Sequence, residues 1–204
     1  MFDFNGQLVL VTGGAQGIGY AVADLLSASN AIPVIADLNA EAAETAARRL
    51  TERGHKAVAL QLDVCDPDSC RSVVEAIEAE HGPLAGVVAA AGIARTARAE
   101  TMDPALWRAV MDTNASGVFF TFQAAARAML PRREGAMVAV GSATGFGGQA
   151  GRANYAASKA AVGGIVKSLA IEWGTRGIRV NAIAPNVVDT PMVRNGVPEA
   201  FLES

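Results

Sequence analysis

Short apolar runs bounded by Gly, Asp or Asn alternate along this chain with longer segments of helical period, and no other feature restricts the fold as much. The runs fall at Leu8–Thr12, Ile32–Asp37, Ala57–Leu62, Gly86–Ala90, Ala136–Gly141 and Arg179–Ile183. Helices are expected near Ile18–Ala28, Glu41–Arg53, Pro67–Glu80, Pro104–Met129 and Ala153–Trp173. Strand and helix in turn make βαβ units, whose strands lie parallel in one sheet. Each run is too apolar for a strand with one wet face, so helices should cover both sides. Asp66 before Pro67 and Asp103 before Pro104 match an N-cap followed by a first helical turn. The expectation is an α/β, doubly wound parallel sheet with helices on both faces, formed by residues 1–204 as a single domain.

Composition agrees with that layering. Hydrophobic residues make up 51% of the chain and aromatics only 5%, so the core must be built from Ala, Val, Leu and Ile. The net charge is −3 and no long basic run occurs, which argues against an electrostatic grip on nucleic acid or anionic lipid and leaves small molecules as partners. The opening MFDFNGQLVL lacks a basic n-region and no apolar run reaches membrane-spanning length, so a cytoplasmic location is expected. Cys65 and Cys70 form no CxxC pattern and are read as reduced and structural. His55 and His81 each stand beside a glycine before a strand and are read as loop histidines. With no ligand cluster in the sequence, no metal is expected.

The segment TGGAQGIG, Thr12 to Gly19, follows the first strand and opens a helix. Glycine lets the backbone turn sharply and approach a ligand, while the helix N-terminus offers unpaired N–H groups and a positive dipole end to pyrophosphate. The alternative is a plain glycine-rich turn. Asp37 ends the second strand 18 residues after Gly19, close to the interval at which an acid reaches the ribose of a bound dinucleotide. A carboxylate there accepts from ribose hydroxyls and repels a 2′-phosphate, which favours NAD over NADP; the alternative is that Asp37 only caps the next turn. Asp63 and Val64, after the third strand, are placed to meet the adenine edge, although Asp63 also suits a cap for the following helix.

Together these motifs resemble the short-chain dehydrogenase/reductase family over nearly the whole chain, and the resemblance implies a Rossmann-type fold. The glycine spacing Thr12-Gly-x-x-x-Gly17-x-Gly19 is that family's. Asn114 resembles its helix asparagine, Ser142 its active-site serine, and Tyr155 with Lys159 its YxxxK pair; Ser142 and Tyr155 stand 13 apart, the family interval. VNAIAPNVVDTPM, Val180 to Met192, resembles the segment closing over the nicotinamide. The implied cofactor residues are Gly13, Gln16, Gly17, Ile18, Gly19, Asp37, Asp63, Val64, Gly92, Tyr155, Lys159, Pro185, Val188 and Thr190. Thr190 is expected at the carboxamide or a phosphate, with the backbone of Val188 receiving the amide.

Three departures stand out. Where the family often has NNAG, this chain has Ala89, Ala90, Ala91 and Gly92, without either amide. The late PG is Pro185-Asn186 here. Family members continue well past the position of Ser204, so the resemblance implies either a domain that is C-terminally incomplete, without its seventh strand and substrate lid, or a natural chain that is short.

The chemistry follows from residue types. Oxidising a secondary alcohol to a carbonyl requires the hydroxyl proton to leave along with the hydride, so a base must lie within hydrogen-bond reach of that oxygen. A phenol is a poor base at neutral pH unless a cation favours its anion. Lys159, four residues after Tyr155, shares its helix face and supplies that cation. Ser142 is expected to hold the substrate oxygen against Tyr155. Asn114 sits inside a long helix, where an amide is unfavourable, and Gly117 suggests a local break that frees a carbonyl; the resemblance implies a relay from Asn114 through water to Lys159. The loop Ser142 to Asn154 is the expected substrate wall, with Phe146 and Gln149 as further contacts. Arg152 there is able to bind an acidic group, though its place just before the helix favours a solvated charge. The leading expectation is an NAD-dependent oxidoreductase acting on a secondary alcohol of the polyol, sugar or hydroxy-acid kind. A 3-oxoacyl-thioester reductase using NADPH is the second reading, disfavoured by Asp37 and by Gln16 where such enzymes often carry a basic residue. A non-catalytic dinucleotide-binding protein is the third. A homotetramer or dimer is expected from the resemblance alone.

Overall fold

A computed structural model describes residues 2–196. Six parallel strands form one sheet in the order β3-β2-β1-β4-β5-β6. They are β1 Leu8–Thr12, β2 Ile32–Asp37, β3 Val58–Gln61, β4 Leu84–Ala89, β5 Gly135–Val140 and β6 Ile178–Ile183. The helices are α1 Gly17–Ala28, α2 Ala40–Thr51, α3 Pro67–Glu80, α4 Pro104–Met111, α5 Gly117–Arg132, α6 Thr144–Gly147, α7 Ala153–Gly174 and α8 Pro191–Gly196. The α/β doubly wound parallel sheet expected from the alternation is therefore present, and the Asp66 and Asp103 caps form as expected, accepting from the N–H groups of Asp68 and Ala105.

All five residues of β1 are buried, and period-two alternation sends them to opposite faces. Leu8 and Leu10 join the core under α3, α5 and α7, which holds Ile77, Phe122, Met129 and Leu169. Val9 and Val11 join the core under α1 and α2, with Ala23, Ala43, Ala47 and Leu50. Alanine dominates the second core because small side chains let the helices approach the sheet closely.

The outer strands differ from expectation. β3 is only partly buried, and in β6 Arg179, Asn181, Ala182 and Ile183 are exposed. Both are outermost in the sheet, so each has a neighbour on one side only and less helix cover. Apolar composition did not distinguish them from the central strands.

The long helix expected over Pro104–Met129 is divided. A π-helical turn, Asp112–Ser116, separates α4 from α5. The break lies just before Gly117, where the sequence suggested one, and it contains Asn114.

The chain reverses its direction of winding between β1 and β4. Both strands pair in parallel, Thr12 with Ala36 of β2 on one side and with Ala89 of β4 on the other. In an open α/β sheet the ligand crevice lies outside the carboxyl ends of the strands at such a switch point.

Candidate active site

A cleft of about 370 Å³ opens there. The glycine loop forms its floor. Gly13 has φ +63°, and a Cβ on it would lie 2.7 Å from the Cα of Ala91. A Cβ on Gly19 would lie 2.2 Å from the carbonyl oxygen of Gly13, so the loop closes onto α1 only without side chains. α1 has no side-chain cap at Gln16 and no acid in its first turn, which leaves its N-terminal N–H groups and dipole available to an anion in the cleft.

Asp37 ends β2 beside this loop. Its Oδ2 accepts from the Ala15 N–H at 3.3 Å and its Oδ1 from the Asn39 N–H at 3.2 Å. The carboxylate turns the chain at Asn39 and also lines the cleft. The helix cap itself is Asn39, which accepts from Ala42. Likewise Asp63 turns the chain by accepting from Cys65 N–H at 2.9 Å and lines the cleft, while Asp66 caps α3.

The alanines after β4 do structural work through backbone atoms. Ala90 N–H donates to the Thr12 carbonyl at 3.2 Å, and Ala91 N–H to Thr12 Oγ1 at 3.3 Å. Thr12 is buried, so its hydroxyl ties this segment to the sheet in a chain that lacks both expected amides.

Tyr155, Lys159 and Ser142 lie on the other wall of the cleft. Lys159 Nζ stands 5.7 Å from the Tyr155 ring centroid and donates to the carbonyl of Val140 at 2.7 Å. Burial pushes the Lys159 ammonium down to about 8. Near neutral pH it still carries its charge, held in a low-dielectric wall beside the phenol. Ser142 Oγ accepts from Thr144 N–H at 3.2 Å, which leaves its own O–H to donate elsewhere.

Asn114 is fully buried behind the wall. Its Oδ1 accepts from Ile93 N–H at 2.8 Å, and its Nδ2 donates to the Ile93 carbonyl at 2.9 Å and to Ser158 Oγ at 3.1 Å. A Cβ on Gly92 would lie 3.2 Å from Asn114 Oδ1 and 3.6 Å from Lys159 Nζ, so this glycine packs closely against both the amide and the ammonium.

Thr190 closes the cleft from the late segment. It is buried, and the methyl group of its side chain would lie 3.5 Å from a Cβ on Gly17. Its carbonyl accepts from the N–H groups of Val193 and Arg194, starting α8. Ala143 N–H donates to the Pro185 carbonyl at 3.0 Å, joining this segment to the Ser142 loop.

A family profile described as short chain dehydrogenase matches residues 7–200. The chain belongs to the short-chain dehydrogenase/reductase family. It is 41% identical over 196 residues to a cis-4-hydroxycyclohexanecarboxylate dehydrogenase of Sinomonas cyclohexanicum, covering 96% of this chain and 78% of that protein. It is 40% identical over 192 residues to the 3-oxoacyl-[acyl-carrier-protein] reductase FabG of Escherichia coli, covering 94% of this chain and 78% of that protein. The crystal structure of gox2181 superposes with a TM-score of 0.94 at 35% identity, covering 98% of this chain and 79% of that one. The protein is thus an oxidoreductase of a family that binds a nicotinamide dinucleotide.

Every cofactor residue expected from the sequence lines this cleft: Gly13, Gln16, Gly17, Ile18, Gly19, Asp37, Asp63, Val64, Gly92, Tyr155, Lys159, Pro185, Val188 and Thr190. Phe146 and Gln149 do not. Phe146, on α6, is 82% exposed, and Gln149 accepts from Arg152 Nη1 at 3.0 Å, so of the four expected substrate contacts Ser142 and Tyr155 line the cleft itself. Cys65 was expected to be structural, but it is exposed and lines the cleft; Cys70 is the buried one. Leu38 and Ile93 also line the cleft and were missed. Each directly follows a residue that had been singled out, Asp37 or Gly92, so adjacency to a strand's carboxyl end was the available signal.

Proposed function

We propose that this enzyme exchanges hydride between a secondary alcohol and NAD, with Tyr155 as the acid/base, running in reverse as a ketone reductase. The observation that carries the reading is that Tyr155, Lys159 and Ser142 share one cleft with the glycine loop and Asp37. The residues present fit the cofactor: the side-chain-free cradle at Gly13 and Gly19 and the uncapped start of α1 suit a pyrophosphate, and Asp37 suits an unphosphorylated ribose. When bound, the nicotinamide supplies the hydride acceptor or donor.

The remaining work belongs to the chain. Ser142 donates its free O–H to the substrate oxygen and fixes it against the phenol. Tyr155 Oη takes the carbinol proton in oxidation and returns it in reduction. Lys159 places an ammonium where it favours negative charge developing on Tyr155 Oη. Asn114 is a positioning residue, because its amide is committed to Ile93 and Ser158; a water relay from Asn114 to Lys159 belongs to the same proposal. Thr190 orients the cofactor from above Gly17, and Val188 offers backbone to the carboxamide.

The name of the Sinomonas relative supports a cyclic hydroxy acid among the substrate class. The FabG relative favours a second reading, reduction of a 3-oxoacyl thioester with NADPH. Asp37 opposes it, since a carboxylate facing the ribose repels a 2′-phosphate. Separate titrations with NADH and NADPH, followed by assays of nicotinamide absorbance over a panel of alcohols and ketones, decide between them. NADH is expected to bind at least ~10-fold tighter, a difference that Asp37→Ser narrows. Tighter binding of NADPH would remove the role given to Asp37. No turnover of any alcohol or ketone would remove the proposed activity.

A further inference from the structure

Buried polar atoms without partners are rare in folded proteins, and each calls for an explanation. Among the described residues four such side-chain atoms occur: Ser27 Oγ, Thr96 Oγ1, Arg152 Nε and Asn154 Nδ2. Three of the four gather at one corner of the molecule. Arg152 and Asn154 stand at the start of α7, and Thr96 lies in the segment after β4, which is fastened to the same corner where Ala97 N–H donates to the Gly151 carbonyl at 3.0 Å. All three atoms belong to groups that donate hydrogen bonds.

The corner adjoins Tyr155. The Arg152 guanidinium lies 5.1 Å from the Tyr155 ring centroid, and Lys159 Nζ lies 5.7 Å from it. Residues three before and four after Tyr155 share its helix face, so the ring is flanked along α7 by two cations. Lys159 lies deep in the wall, at the cofactor end of this row, and Arg152 stands at the other end. No carboxylate among the described residues pairs with Arg152. Its Nη1 donates to Gln149, a neutral side chain that leaves the guanidinium charge unbalanced. A half-buried guanidinium with an unpaired Nε is costly to maintain unless an anion meets it. The N-terminal dipole of the 22-residue helix α7 adds positive potential at the same place.

We propose that Arg152, with Asn154 and Thr96 supporting it, forms a carboxylate subsite beside Tyr155, so that the substrate is a hydroxy acid or oxo acid. This rests on the dehydrogenase reading above, because it assigns a charge to the substrate of that same site. A carboxylate offers two oxygens to a guanidinium fork and has lone pairs left for neighbouring N–H and O–H donors, which matches the unpaired groups in kind. A neutral alcohol would leave Arg152 Nε and its neighbours as unpaired as they are now.

The test separates binding from turnover. The protein saturated with NADH is titrated with cyclohexanecarboxylate and with its methyl ester, following nicotinamide fluorescence, in the native protein and in Arg152→Gln; circular dichroism checks that the variant folds. The native complex should bind the acid at least ~10-fold tighter than the ester, and Arg152→Gln should bring that ratio near one, with Arg152→Lys between them. Equal binding of acid and ester by the native complex, or a preference that survives Arg152→Gln, overturns the subsite. A preference for the acid without oxidation of any hydroxy acid leaves the subsite standing and overturns the dehydrogenase reading. Oxidation of neutral alcohols without any preference for the acid does the reverse.

Discussion

Lys159 carries its charge against the solvation energy of the fold. Burial lowers its pKa from 10.5 to about 8, so between these values the unfolded chain binds a proton that the folded chain does not. Stability therefore rises with pH across that window, and the full penalty is present below about 8. In the cofactor-free protein, urea unfolding at pH 7.5 and 9.5 should show the native chain gaining about 2 kcal/mol relative to Lys159→Met, since each tenfold change in proton affinity is worth about 1.4 kcal/mol. An unchanged difference between the two proteins would mean that Lys159 is solvated. The same substitution should abolish turnover while costing little stability at pH 7.5, which is the pattern of a residue kept for function.

At the scale of elements, the π turn at Asp112–Ser116 explains why a fully buried asparagine tolerates a helical position. Its side-chain amide bonds to Ile93 and Ser158, and so joins the segment after β4 to α7. Asn114→Ala leaves the Ile93 N–H and carbonyl without partners, and chemical denaturation should report a loss of about 1–3 kcal/mol. A loss below about 0.5 kcal/mol would show that the segment holds itself. This element also marks the limit of what could be read from the sequence. Asn114 and Gly117 announced a break in the helix, yet nothing local gave its π geometry or the partners of Asn114, because those come from residues 21 and 44 positions away. The strands and glycine loop were legible because period and spacing are local properties. The direction of Phe146 was not legible for the opposite reason: a loop residue's direction is set by tertiary packing, and α6 leaves Phe146 in solvent. Arg152 was read as solvated on the same local grounds, while the structure puts its guanidinium over the Tyr155 ring.

Across the whole molecule, the sheet order brings the ends of β1, β2, β4 and β5 to one crevice, and side-chain ties hold the helices that frame it. The firmest links α3, α5 and β4. Arg132 donates to both oxygens of Glu78, at 2.6 and 2.9 Å, and to the Leu84 carbonyl, while Leu84 N–H donates to Glu78. Burial alone would raise the Glu78 carboxyl, but Arg132 and the Leu84 N–H outweigh it and hold it below the usual range. Its contribution is therefore present above the ordinary carboxylate range and is lost as acid titrates it. Glu78→Gln should cost about 1–3 kcal/mol at pH 7, and the difference from the native chain should shrink toward pH 3. A constant difference would assign the effect to packing. None of the described helices is long and apolar enough to cross a membrane. The expected homotetramer or dimer is a proposal that rests on family membership, and sedimentation of the purified protein reads it directly.

The central claim is that the cleft at the switch point joins a dinucleotide site to a phenol that moves the substrate proton. It is tested most directly by Tyr155→Phe, which removes one oxygen from the wall. NADH affinity by fluorescence titration and alcohol oxidation by nicotinamide absorbance are measured side by side for the variant and the native protein. NADH should bind within about threefold of native, and turnover should fall at least ~100-fold, the low end of what a general acid/base supplies. Native turnover in Tyr155→Phe would contradict the claim.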